Sequence, residues 1–216
     1  LVLFVLSLMI FVLARVVPGD PARIALGPSA TQAQVDELRI GMGLDEPILT
    51  QYVSYLGKVL RGDLGMSLVS GKPVAQDIAS FLPATLELVL VTIVLIFAIS
   101  VPLGVIAARR RNSWIDNVGR FFSLIGVTIP GFLFAIVLQL LAANYIPGWP
   151  ILGRYEFSLG VTHGPTGLLL VDSLLNGRFE LFADALRHIA FPALALAMAG
   201  IGQITRINRS AMIENQ

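Results

Sequence analysis

The chain has 216 residues, 56% of them hydrophobic and 13% charged, with a mean hydropathy of +0.80 and a net charge of +1. A soluble domain carries about 25% charged residues, so lipid rather than water surrounds much of this polypeptide. The near-neutral balance, without a basic face, argues against nucleic acid. The absence of cysteine removes disulfides, thiolate metal sites and a cysteine nucleophile.

The first apolar run is Leu1 to Val17, residues 1–17. It lacks a basic flank, and Arg15 is followed by Val-Val-Pro rather than a small-x-small site, so it reads as an anchor and not a cleaved signal. Starting without Met, it also gives the expectation of a trimmed N-terminus. Residues 18–83 form a long polar segment with two short amphipathic helices. Thr31 with Gln34 makes a capping box, Val35, Leu38 and Met42 follow at helical spacing, and Gly41 and Gly43 close the turn. Asp45 and Pro47 start the second helix, whose stripe is Ile48, Leu49, Tyr52, Val53, Leu56, Val59 and Leu60. Gly62-Asp63-Leu64-Gly65 is a turn.

The second run, 84–108, opens at Pro83, a favourable first helical position. Glu87, one turn further in, reads as a carboxylate favoured by the helix dipole at the interface, with an intramembrane acid as the sharper alternative. A basic link, 109–120, carries Arg109, Arg110, Arg111 and Arg120 against Asp116. The third run is 121–145, followed by a polar segment, 146–187, and a short fourth run, 188–205. His188 is read as a hydrogen-bonding residue at that helix start. Arg206 and Arg209 lie in the tail, 206–216. Pro102, Pro130 and Pro192 sit within or beside spans, where a packed bundle must satisfy the freed carbonyls. Gly104, Gly126, Gly131, Gly200 and Gly202 allow close backbone approach. The fold expected is an all-α polytopic membrane protein.

Charge sets its orientation. Residues 18–83 hold Arg23, Arg39, Lys58, Arg61 and Lys72 against seven acids, and 146–187 is similarly balanced. Short loops rich in Lys and Arg stay cytoplasmic, while long ones translocate regardless of charge. The N-terminus, the 109–120 link and the tail are therefore expected inside, and the two long segments outside.

Polar residues well inside the last three spans are Thr92, Ser100, Thr128, Gln139, Asn144 and Gln203. Thr128, Gln139, Asn144 and Gln203 are the candidates for lining a pathway. The alternative for each is an interhelical hydrogen bond, worth about 0.6 kcal/mol on average. No span carries a mid-depth Lys or Arg or a chain of Asp, Glu and His, which argues against a proton relay. Gly71-Lys72 fails as a phosphate loop, because Pro73 replaces the Ser or Thr and Met66 the first Gly. His163 and His188 are too far apart for a two-His metal site on one helix, and no nucleophile triad or carboxylate pair stands out. An enzyme is not indicated.

Several stretches together resemble a known family. They are Pro18-Gly19-Asp20-Pro21-Ala22, Gly43-Leu44-Asp45-Glu46-Pro47 and Arg61-Gly62-Asp63-Leu64-Gly65-Met66-Ser67. Further along come Leu82-Pro83-Ala84-Thr85-Leu86-Glu87-Leu88, Pro102-Leu103-Gly104-Val105, Arg187-His188-Ile189-Ala190-Phe191-Pro192-Ala193-Leu194 and Arg206-Ile207-Asn208-Arg209-Ser210-Ala211-Met212. With these the chain resembles, over nearly its whole length, the membrane-spanning permease subunit of a bacterial ATP-binding-cassette importer of the dipeptide/oligopeptide type.

The resemblance implies the type I permease fold of six spans in the bacterial inner membrane and no cofactor in this chain. It implies a second permease subunit, two cytoplasmic ATPase subunits that use ATP and Mg, and an extracytoplasmic solute-binding protein. Arg206, Arg209, Ser210 and Met212 then lead towards the ATPase contact. Only four of the six spans are present, and the sequence stops at Glu214-Asn215-Gln216, where a coupling loop is expected to begin, so a fragment is expected. Peptides are the expected cargo, with nickel chelates, glutathione or another small solute as alternatives. A non-transporting scaffold and an ion-coupled transporter are the rivals of another class.

Overall fold

The structure is a computed structural model, and it describes residues 2–16, 20–67, 69–110, 113, 114, 117, 121, 126, 128–160 and 164–214. The described residues are helical, and their only β pairing is an isolated bridge between Met66 and Pro73. They fall into two compact units, Leu1–Phe81 and Leu82–Gln216.

The first unit begins with α1 (Val2–Val16), an apolar helix about 22 Å long at 1.5 Å per residue. A short helix unforeseen in the sequence, α2 (Pro21–Leu26), follows: Asp20 caps it by accepting from the Ala22 N–H at 3.0 Å, and Pro21 supplies the first position. The expected capping box opens α3 (Gln32–Gly41), with the Gln34 carboxamide oxygen 2.9 Å from the Thr31 N–H. This helix closes in a Schellman motif, in which Gly43 N–H reaches Ile40 O and Leu44 N–H reaches Arg39 O. Gly43 sits at φ 66°, in the left-handed region that favours glycine. The second amphipathic helix, α4 (Ile48–Leu60), ends the same way at Gly62 (φ 85°), with Asp63 N–H donating to Lys58 O. Tyr52 is the buried residue of α4, wedged edge-on between Phe4 and Phe11 of α1, its hydroxyl 2.7 Å from Ser7 Oγ.

Among the described residues two helices are long and apolar enough to cross a membrane: α5 (Val74–Arg109) and, near the end of the chain, α8 (Phe179–Glu214), each of 36 residues. At about 54 Å each exceeds the roughly 30 Å hydrocarbon core of a bilayer. Pro83 is therefore not the first residue of its helix but lies inside α5. Its missing N–H orphans the Ala79 carbonyl, and the exposure of residues 78–82 lets water take that bond. His188 likewise is no helix start, because α8 begins nine residues earlier and continues through Pro192.

Pro130 behaves differently. It has φ −55° and ψ 131°, outside the helical region, and with Gly131 after it the third apolar run is interrupted there; α6 (Gly131–Tyr145) begins on its far side. That run is thus not one continuous helix. Most of the basic link 109–120 lies outside the described residues. Between α6 and α8 the chain makes a 3₁₀ turn (Phe157–Leu159) and the short α7 (Leu169–Leu175). A small core of Leu169, Leu170, Leu181 and Ala185, with Val91, Tyr155, Leu159, Phe182 and Ile189 against it, fixes this cap to the two long helices.

Candidate functional site

The packing of the second unit defines chain directions. Ile96 meets Gly200, Ser100 meets Thr205 and Val101 meets Asn208, so partners on α5 and α8 rise together and the two helices run parallel. Against α6 the order reverses. Gly131 lies by Ala195, and Trp149, just past the helix, stacks on Phe191 with ring centroids 4.7 Å apart. The antiparallel α6 thus packs on α8. Small buried residues, Ala193, Ala195, Ala197 and Gly202, let α8 serve as the common wall. One consequence is that Arg109 and Arg110 at the end of α5, and Arg206 and Arg209 near the end of α8, lie at the same end of the helix pair.

The four pathway candidates are not gathered into one place by any hydrogen bond. Thr128 is exposed just ahead of Pro130, and Gln203 is exposed on α8. The Gln139 amide donates to Ile151 O at 3.3 Å, tying α6 to the segment that follows it. Asn144 donates to Leu140 O at 2.7 Å, one turn back on its own helix, and the Thr92 hydroxyl does the same to Leu88 O at 2.7 Å. Neither is an interhelical bond. Ser100 is fully buried, and its hydroxyl has no hydrogen-bond partner among the described residues. Of the coupling candidates, Arg206 and Ser210 are exposed and Arg209 and Met212 half-buried on the last turns of α8, which stays helical to Glu214.

What sequence reading missed is a polar network under the cap formed by the segment between α6 and α8. Glu87 is the fourteenth residue of α5, far beyond the first turn within which a helix dipole acts, so the dipole explanation of this carboxylate fails. Its partners come instead from distant chain. Arg154 Nη2 lies 2.9 Å from Oε2, and the Leu170 N–H donates to Oε1 at 2.5 Å. Glu87 is 5% exposed, and two donors balance the burial of its charge. Asp172 on α7 is buried as well. Its carboxylate accepts from the Thr166 hydroxyl at 2.7 Å, the Thr166 N–H at 3.2 Å and the Gly167 N–H at 2.9 Å. Gly164 packs so closely that a Cβ there would stand 2.4 Å from Asp172 Oδ1.

Asp184 of α8 accepts from the Glu156 N–H at 2.6 Å and faces His188 Nδ1 at 3.5 Å, while His188 also bonds the Asp184 carbonyl. Arg178 reaches Leu159 O. These contacts fasten the described backbone of the cap through carboxylates. The sequence signals for them were the acid Glu87 inside an apolar run and His188 as a hydrogen-bonding residue; their partners were not foreseen.

Two family descriptions match the chain. Residues 100–216 match the binding-protein-dependent transport system inner membrane component, and residues 1–89 match the N-terminal part of a binding-protein-dependent transport system membrane component. Among curated relatives, the "Probable D,D-dipeptide transport system permease protein DdpB" of Escherichia coli K12 is 37% identical over 94% of this chain and 60% of its own length. The oligopeptide transport system permease protein AppB of Bacillus subtilis is 35% identical over 99% of this chain and 62% of its own. The dipeptide transport system permease protein DppB of Alkalihalophilus pseudofirmus is 32% identical over 99% and 64%. The chain therefore spans about three-fifths of the length of these relatives. By its helical architecture and by these matches, the chain belongs to the inner-membrane permease components of binding-protein-dependent transport systems.

Proposed function

We propose that this chain contributes helices to the translocation pathway of an ATP-driven importer of peptides that works by alternating access. The observation that carries the reading is the bundle itself: α5 and α8 run parallel with α6 antiparallel on α8, the alternation that successive membrane crossings require. The relatives' names, dipeptide and oligopeptide permeases, support peptides over the alternative small solutes.

In this reading residues 1–17, 84–108, 121–145 and 188–205 are the crossings, with 109–120 and the tail cytoplasmic. The shared end of Arg109, Arg110, Arg206 and Arg209 supports that orientation, since basic residues are retained inside. Residues 18–83 and 146–187 then face outward, towards a solute-binding protein. Arg206, Arg209, Ser210 and Met212 lead towards two ATPase subunits, which hold ATP and Mg. A second permease completes the pathway, and Thr128, Gln139, Asn144 and Gln203 are its proposed lining.

The orientation is tested with single cysteines, for which the cysteine-free chain is a clean background. Leu152→Cys should react with a membrane-impermeant maleimide added to intact cells, and Asn112→Cys and Glu214→Cys only after lysis. Labelling of Asn112→Cys from outside would sink the orientation. Transport is tested by ATP-dependent peptide uptake into proteoliposomes holding the assembled system. Uptake that survives ATP depletion would favour an ion-coupled carrier. Deletion of Pro47–Leu60 is a poor test of docking, because Tyr52 also braces α1; substitutions at exposed Ser54 and Lys58 probe docking without that damage.

A further inference from the structure

The parallel contact between α5 and α8 carries a polar joint. The Asn208 carboxamide donates to Val101 O at 3.2 Å, from one helix to the other. One turn earlier the Thr205 hydroxyl points to Ser100 O at 3.5 Å, with Thr205 and Ser100 both buried. Directly opposite Asn208 stands Gly104, also buried. A Cβ at position 104 would lie 2.6 Å from Asn208 Nδ2 and 3.0 Å from its Cβ and Cγ, so the glycine is the socket into which the asparagine fits.

The joint brackets Pro102, whose absent N–H breaks the α5 ladder at Ala98. The α8 side chains thus grip α5 where its own backbone is weakest. Asn208 also immediately precedes Arg209 and Ser210, the stretch proposed to approach the ATPase.

We propose that Asn208 is a positioning residue that joins α8 to α5, so that a displacement delivered to the end of α8 is carried by both helices as one body. This rests on the importer reading. A purely apolar contact between smooth helices would let one slide or rotate past the other. An asparagine seated in a glycine socket, and bonded to a carbonyl beside a proline, resists both motions.

The test uses the assembled transporter in proteoliposomes, with ATP hydrolysis and uptake measured on the same preparation. Asn208→Leu fills the socket but cannot donate. It should leave hydrolysis within about twofold of the unmodified protein while uptake per ATP falls roughly threefold, the factor that an interhelical bond of about 0.6 kcal/mol corresponds to. Gly104→Ala should uncouple similarly, and combining it with Asn208→Ser, which vacates space and keeps a donor, should recover uptake towards the unmodified level. Unchanged uptake per ATP in Asn208→Leu overturns the proposal.

Should Asn208→Leu fail to assemble, a disulfide between Ser100→Cys and Thr205→Cys decides instead. If the helices move as one body, oxidation leaves uptake intact; if oxidation abolishes uptake and reduction restores it, the helices must move past each other and the joint is refuted. Absence of ATP-dependent uptake by the unmodified complex would defeat the importer reading, whereas loss only on cross-linking defeats the joint alone.

Discussion

Two arginine–carboxylate pairs of nearly equal geometry occupy opposite kinds of surroundings. In the first unit Arg39 Nε meets Asp45 at 2.7 Å, with both side chains about half exposed. In the second unit Arg154 meets Glu87 at 2.9 Å, and the Glu87 side chain is 6% exposed. The Asp45 hydrogen bond and its charge, ahead of an opposing desolvation and the charges of Asp20 and Asp36, hold the Arg39 guanidinium above its ordinary pKa, yet an arginine is protonated at any working pH in either case. Water and salt screen the first pair, and its geometry contributes little. The second is different because Glu87 also accepts the Leu170 N–H, so removing the carboxylate strands a buried donor. Distance alone does not rank such contacts; what is left unpaired when one partner goes does.

That contrast sets an order of effects. Asp172→Ala should cost the most, about 3 kcal/mol, because two backbone N–H groups and a hydroxyl lose their acceptor together. Melting of the detergent-solubilised protein and faster hydrogen exchange at residues 164–170 would register it, and a loss below about 1 kcal/mol would show the carboxylate to be dispensable. Glu87→Ala should follow at about 2 kcal/mol, while Glu87→Gln, which keeps an acceptor for Leu170 but turns an amide donor towards half-exposed Arg154 and so loses that ion pair, should cost about half as much. Equal losses in the two variants would mean that the ion pair, not the backbone bond, holds the cap. Gly43→Ala in the first unit should cost about 1 kcal/mol by forcing a Cβ into the left-handed region. Smallest of all, Asp45→Ala should leave the melting temperature unchanged at moderate salt, and a clear salt-sensitive drop would place that pair with the buried one.

Local signals were legible in the sequence where the responsible atoms are neighbours in the chain. Thr31 and Gln34 sit three residues apart, and Gly43 and Gly62 follow the last apolar position of their helices, so caps and stops were predictable. The Asp20-Pro21 start of α2 was equally local and was overlooked, since six residues hold too little periodicity to notice. Helix limits fared worse. Pro83, Pro130 and Pro192 look alike in sequence, yet two lie within helices and one interrupts a run, because the outcome depends on φ/ψ and on whether water or a neighbour can serve the orphaned carbonyl. The cap network was illegible for a stronger reason. Glu87 and Arg154 are 67 residues apart and Glu87 and Leu170 are 83 apart, and one of the bonds is to a main-chain N–H that no side-chain pattern announces.

α8 continues as one helix from Phe179, under the cap, through Pro192 to Glu214, over about 54 Å. A pivot of roughly 10° about its middle would swing the two tips by roughly 5 Å in opposite senses. The tip that carries Arg209 and the tip that carries Glu180 are then arms of one seesaw only as far as the helix holds its line at Pro192, where the His188 carbonyl has lost its backbone donor.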